Sequence, residues 1–337
     1  MKLLVVDDSA FMRKIISDML RDINEITIVG TARNGKDALE LIPQLRPDVV
    51  SLDVEMPILN GLKTLEIIKE KYDIPVIMLS SNTNSEVTIE ALEKGAFDFI
   101  EKPKNINENL EDLRNDLASK ILASVLKKKQ GKEINVFQKY NQNRISKNKS
   151  NILIKAIAIG ASTGGPKALV SLVRELPGDM GVPIFIVQHM PAGFTTSLAA
   201  RMDMESKLKV VESKDGMDIE KNIVYLAPGD FHMTIENKKI RLDKRERLNG
   251  VRPSVDYLFA SAAEIYKENL LGIILTGMGK DGSTGMKRIK DLNGYTIAQD
   301  KESSTIFGMP QSAIKLGVVD EILSLDEIPN RIIELLR

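Results

Sequence analysis

KLLVVDDSAFMRKIISDML, residues 2–20, contains the pattern from which the fold follows. Its apolar run at 3–6 is too short for a helix and stops at Asp7 and Asp8, as a buried strand does. Phe11, Met12, Ile15, Ile16, Met19 and Leu20 then recur near every 3.6 residues, which predicts one apolar face of a helix. The alternation continues outward: ITIV at 26–29, VVSL at 49–52, PVIMLS at 75–80 and DFIEK at 98–102 are further strand candidates between helical periodicities. Strands alternating with helices predict a parallel sheet covered on both faces.

Residues 127–150 break the pattern, with eight Lys or Arg against one Glu and apolar residues of no period. They read as a solvated basic tether between a domain at 1–126 and another at 151–337. In the second, IKAIAIG, VPIFIVQH, LKVV, LLGIILTG and YTIAQD again predict a doubly wound, mostly parallel α/β sheet. FHMTIENKKIRL alternates its side chains around Asn237 and Lys238, the pattern of a small antiparallel hairpin.

Composition narrows the chemistry. Lys plus Arg equals Asp plus Glu at 47 each, so no overall field draws the chain to nucleic acid or an anionic membrane. There is no cysteine, which excludes disulfides, thiolate metal sites and a cysteine nucleophile. The first apolar run is far too short for a signal peptide or a membrane span, so a soluble, cytoplasmic protein without membrane insertion is expected.

In a doubly wound sheet, Asp7, Asp8 and Asp53 all fall at the carboxyl edge, where such folds build their sites. Three converging carboxylates call for a hard divalent cation, Mg²⁺ being the natural choice. Ser80 and Lys102, at the ends of the fourth and fifth strands, would add a hydroxyl and an ammonium suited to a phosphoryl group. Taken singly, each is equally a cap, Asp8 or Ser9 simply opening the first helix.

The segments VVDDS, SLDVEMPILNGL, MLSS and EKP together resemble the receiver domain of two-component response regulators. The resemblance implies a flavodoxin-like five-stranded parallel fold with Asp53 as phospho-acceptor. It implies Mg²⁺ held by Asp8, Asp53 and the Glu55 main-chain carbonyl, with Asp7 acting through water, and a histidine kinase as phosphodonor. Ser80 and Lys102 would read the phosphate. Phe99 stands at the family's switch aromatic, though a plain core phenylalanine fits the position equally.

GASTGGP at 160–166 follows the first strand of the second domain and matches G-x-S-x-G, a turn that projects a serine hydroxyl clear of the backbone. A glycine-rich turn after a strand also opens phosphate and dinucleotide sites. Ser162 as nucleophile needs a base, and the chain has two histidines. His189 ends a strand and could face Ser162 if the two strands are neighbours, whereas His232 lies in the hairpin. Asp281, after LLGIIL, is the candidate carboxylate; it could equally cap the next helix, and Asp256 within a helical pattern is its rival.

The chain order Ser, His, Asp and the segments IGASTGGPKAL, VQHMP, LAPGDFHM, VRPSVDYLF and LTGMGKDG closely resemble the CheB catalytic domain across 152–335. The resemblance implies a protein-glutamate methylesterase and glutamine deamidase acting on chemoreceptors, with a Ser162, His189, Asp281 triad and no cofactor in this domain. Met278 is the implied backbone oxyanion donor, with the glycine turn after Ser162 a second candidate, and Arg201 lies on the substrate side. It further implies that the unphosphorylated receiver restrains the hydrolase. A DNA-binding output would need a basic helix-turn-helix, and a nucleotide switch a Walker lysine or G-x-G-x-x-G spacing; the sequence offers neither.

Overall fold

A computed structural model describes residues 1–103, 110–130 and 153–337. The chain divides into two compact units, Met1–Ile134 and Asn135–Arg337.

In the first unit the five expected strands are β1 (Lys2–Val6), β2 (Thr27–Ala32), β3 (Val49–Asp53), β4 (Val76–Ser80) and β5 (Asp98–Glu101), all parallel in the order β2-β1-β3-β4-β5. Leu3 and Val5 pack with Ile16 and Leu20 of α1 (Ala10–Leu20) and with Leu117 and Ile121 of α5 (Leu110–Gln130). Between them run α2 (Gly35–Leu45), α3 (Gly61–Lys71) and α4 (Ser85–Glu93). Helix starts are marked by side-chain caps: Ser9 Oγ accepts from Met12 N–H, and Asn34 and Asn60 accept from Asp37 and Lys63 N–H. α5 continues to Gln130, into the first residues of the basic stretch, where lysine and glutamine favour a helix. The rest of the expected tether, 131–150, lies outside the described residues.

In the second unit β6 (Ala156–Ala161), β7 (Ile184–Gln188), β8 (Lys209–Glu212), β9 (Ile223–Leu226), β12 (Leu270–Ile274), β13 (Tyr295–Gln299) and β14 (Glu321–Leu323) form a parallel sheet ordered β14-β13-β12-β6-β7-β9-β8. Helices α6 (Gly165–Glu175), α7 (Phe194–Glu205), α8 (Val255–Tyr266), α9 (Ser283–Asp291), α10 (Met309–Lys315) and α11 (Ile328–Leu336) complete it. β9 and β14 were not expected from sequence: one is four residues long and the other is a three-residue edge, too short to show a period. The expected hairpin is β10 (His232–Glu236) with β11 (Lys239–Asp243), antiparallel, its turn made by left-handed Asn237 and Lys238. Met233, Ile235 and Ile240 press its inner face into the core beside Leu258 and Phe259.

Both sheets reverse winding direction beside their first strand, and that is where a crevice opens at the carboxyl edge. No helix among the described residues is long and apolar enough to cross a membrane.

Candidate active sites

In the first unit β1 and β3 are neighbours, so Asp7, just past β1, and Asp53, the last residue of β3, meet. Carboxylate oxygens of Asp7, Asp8 and Asp53 all lie within 4.8 Å of one another. Lys102 Nζ stands 2.9 Å from Asp7 Oδ2 and 2.7 Å from Asp53 Oδ2. Arg13 braces the acidic turn from α1, donating to the carbonyls of Asp7 at 2.7 Å and Asp8 at 3.0 Å, and Ser9 N–H donates to Asp7 Oδ1 at 2.9 Å. Of the two readings of the turn, capping thus falls to Ser9, and the two aspartates are left to the edge.

Burial pushes Asp53 up to about 6, against the downward pull of the Lys102 hydrogen bond and charge and of the Glu55 backbone N–H. Asp7 and Asp53 are buried and Asp8 is exposed. Three carboxylates against one ammonium is a donor set that fits a hard, oxygen-seeking divalent ion.

Ser80 lies at the same edge, tied in by Lys102 N–H donating to its carbonyl at 2.7 Å. Its buried hydroxyl is 2.5 Å from Thr88 Oγ1 on α4, a partner that sequence reading did not anticipate. Phe99 is buried in β5, its carbonyl accepting from Lys120 Nζ at 2.7 Å, with that ammonium 5.6 Å from the ring centre.

In the second unit β12, β6 and β7 are consecutive in the sheet, so their carboxyl ends deliver Asp281, Ser162 and His189 to one crevice. Ser162 N–H donates to Thr276 O at 3.0 Å, and His189 N–H to Ala161 O at 3.1 Å, which fixes both turns to the sheet. His189 Nε2 lies 2.8 Å from Asp281 Oδ2. With Nε2–H donating, Nδ1 carries the free lone pair and is the basic nitrogen. Among the described residues the Ser162 hydroxyl makes no hydrogen bond, to His189 or to any other group. Gly277 is required beside it, since a Cβ there would come within 2.7 Å of Ser162 Cβ.

Asp281 does not cap the helix that follows it. Gly282 is the N-cap of α9, and the carboxylate instead turns to the start of α8, accepting from Ser254 Oγ at 2.8 Å, Val255 N–H at 2.7 Å and Asp256 N–H at 3.3 Å. Asp256, on α8, returns the exchange by accepting from Gly285 N–H of α9 at 2.6 Å. Each helix N-terminus therefore holds the other's acid, the end of a helix where negative charge is favoured. Burial works to raise Asp281, but His189 and the α8 donors prevail and hold it below the usual carboxylate range. For Asp256 burial dominates and, with Asp281 alongside, pushes it up to about 6.

His232 is fully buried in β10, with Nε2 3.1 Å from Glu246 O and its ring edge-on to Tyr257 at 4.7 Å, the contacts of a core histidine. Met278 follows Gly277, and among the described residues its amide donates to no backbone carbonyl. Arg201, on α7, pairs with Glu205 one turn on. Gln188, which donates to the Ser162 and His189 carbonyls, and Ser254, which donates to Asp281, were not singled out by sequence; Ser254 could have been, as a cap residue before an apolar-periodic helix.

Two family models match the chain: CheB methylesterase over residues 157–332 and response regulator receiver domain over residues 3–114. A protein-glutamate methylesterase/protein-glutamine glutaminase of Clostridium acetobutylicum is 44% identical, over 100% of this chain and 98% of that protein. Its Bacillus subtilis counterpart is 41% identical, over 97% and 96% of the two chains. The crystal structure of the Thermotoga maritima CheB methylesterase catalytic domain matches with 47% identity and a TM-score of 0.53, covering 54% of this chain and 98% of that one. The match of residues 157–332 to CheB methylesterase, preceded by a receiver match and shared with relatives along the whole length, makes this chain a member of the CheB methylesterase family.

Proposed function

We propose that the chain is a phosphorylation-regulated hydrolase that cleaves glutamate γ-methyl esters on chemoreceptors and deamidates glutamines there, with Ser162, His189 and Asp281 as its triad. The observation that carries this reading is the meeting of three adjacent strand ends, with His189 Nε2 2.8 Å from Asp281 Oδ2 and Ser162 just past the end of the middle strand. Residues 1–126 act as receiver, 127–150 as tether and 151–337 as hydrolase.

His189 Nδ1 takes the Ser162 proton as Oγ attacks the ester carbonyl carbon, and Asp281 holds Nε2–H and balances the imidazolium. The carbonyl electron pair moves to oxygen, where the Met278 amide and the glycine turn after Ser162 receive it. Collapse expels methoxide, which takes the proton from His189 and leaves as methanol. Water attacks the acyl-enzyme by the same route, freeing glutamate and restoring Ser162. A glutamine amide enters the same sequence with ammonia as leaving group.

In the receiver, Asp53 accepts a phosphoryl group from a chemotaxis histidine kinase. Asp8, Asp53 and the Glu55 carbonyl would hold Mg²⁺, with Asp7 through water, and the ion would supply charge neutralisation for the phosphoryl oxygens. Lys102 and Ser80 read the phosphoryl group, and Phe99 beside them on β5 is the residue through which the change would be felt.

Methanol release from methylated receptor membranes tests this, with wild type, Ser162→Ala and Asp53→Ala, each with and without Mg²⁺ and a small phosphodonor. Wild type is stimulated, folded Ser162→Ala is inactive, and Asp53→Ala is active but unstimulated. Wild-type release by Ser162→Ala overturns the triad.

A further inference from the structure

Beyond Ser162 the nucleophile turn leaves β7: its N–H is bonded to Thr276 O on the β12 side, and its carbonyl receives Gly165 N–H at 2.7 Å. Among the described residues one hydrogen-bonded link still joins Ser162 to the segment bearing His189. Gln188, the last residue of β7 and 2% exposed, sends Nε2 to Ser162 O and to His189 O, each at 3.0 Å. Both neighbours are carbonyl oxygens, so the nitrogen must face them whatever the usual ambiguity of a carboxamide.

Gln188 Oε1 is buried with no hydrogen-bond partner. A buried acceptor left unpaired is unfavourable, and natural interiors tolerate few of them. Here the amide's two donors are both spent on the catalytic turn. Gly165 makes the room, since a Cβ there would collide with Oε1. The second glycine after the Ser162-Thr163 pair is thus explained by the carboxamide behind it.

We infer that Gln188 is a positioning residue of the hydrolase, its carboxamide tying the carbonyls of Ser162 and His189 together and so setting the approach of imidazole to hydroxyl. This rests on the triad reading above. It touches no substrate. Its loss changes the fit of base to nucleophile, which appears in kcat, and leaves substrate binding as it was.

Gln188→Met keeps the bulk and removes both donors; Gln188→Glu replaces them with a carboxylate that faces two carbonyl oxygens until it is protonated, when it can donate once. Methanol release from methylated receptor membranes is measured for both, with thermal melts and with Ser162→Ala in parallel. Gln188→Met is expected to lose about 10²-fold in kcat, the scale of a small misplacement in an active site, with KM within about twofold. For Gln188→Glu the kcat ratio to wild type rises as pH falls, because protonation of the introduced carboxylate restores one donor to the facing carbonyls. A folded Gln188→Met with wild-type kcat, or a pH-independent ratio for Gln188→Glu, overturns the inference; should Gln188→Met not fold, the ratio decides alone. If Ser162→Ala retains activity, it is the triad reading that fails and this inference goes with it.

Discussion

The two crevices hold buried aspartates at the same place in two doubly wound sheets, yet they neutralise them in opposite ways. Around Asp53 the compensation is a mobile charge: one lysine shared with Asp7, too little for three carboxylates, and the acid is pushed up to about 6. Around Asp281 it is fixed dipoles: a hydroxyl, two helix amides and the imidazole, which together hold the acid low despite its burial. A site proposed to gain and lose a cation and a phosphoryl group needs charge that can be exchanged. The acid of the proposed triad has to stay ionised through every turnover, and fixed dipoles do that without reorganising.

The largest expected effect comes from disturbing the fixed side. Asp281→Asn keeps the shape but offers an amide where His189 Nε2–H needs an acceptor, and kcat falls by about 10⁴-fold as the imidazole takes the wrong tautomer. Steady-state methanol release by the folded variant measures it, and a loss below tenfold would show that Asp281 only caps α8. On the exchangeable side, Asp53→Asn abolishes stimulation by phosphodonor and Mg²⁺; a variant still stimulated places the phospho-acceptor elsewhere.

The sequence showed most of both crevices because strand ends are legible: Asp53, Ser162 and His189 each close an apolar run, and parallel pairing brings such ends together. What it could not show is where a side chain turns after leaving its strand. Asp281 precedes α9 and reads as its cap, but the carboxylate crosses to α8, because the pairing of those two N-termini is a tertiary fact. Gln188 was invisible for the same reason: a glutamine at a strand end has no pattern of its own, and its partners are backbone carbonyls. β9 and β14 escaped notice as runs too short to show a period.

A smaller effect sharpens the contrast from the receiver side. Because burial opposes ionisation of Asp53, Asp53→Asn in EDTA at pH 7.5 raises the melting temperature of the receiver transition by a few degrees, on the order of 1 kcal/mol. Added Mg²⁺ stabilises wild type more than the variant, narrowing the gap. Equal stabilisation of both by Mg²⁺ would remove Asp53 from the ion's donor set.

An effect of the same order falls on the acid of the hydrolase that resembles Asp53. Asp256 is raised to about 6 from an ordinary 3.8 by burial, with Asp281 adding to it. The native state therefore holds this proton more tightly than the unfolded chain, so stability is fullest below about pH 4 and is lost as pH rises through about 6. Asp256→Asn keeps an oxygen for Gly285 N–H and puts N–H donors where the ionised acid would face Asp281. At pH 7.5 the variant melts roughly 2–4 °C above wild type, on the order of 1 kcal/mol, and at pH 4.5 the two coincide. A variant that melts below wild type at both pH values would mean that the ionised Asp256 is itself held by the α9 N-terminus, and that both helix starts, not one, run on fixed dipoles.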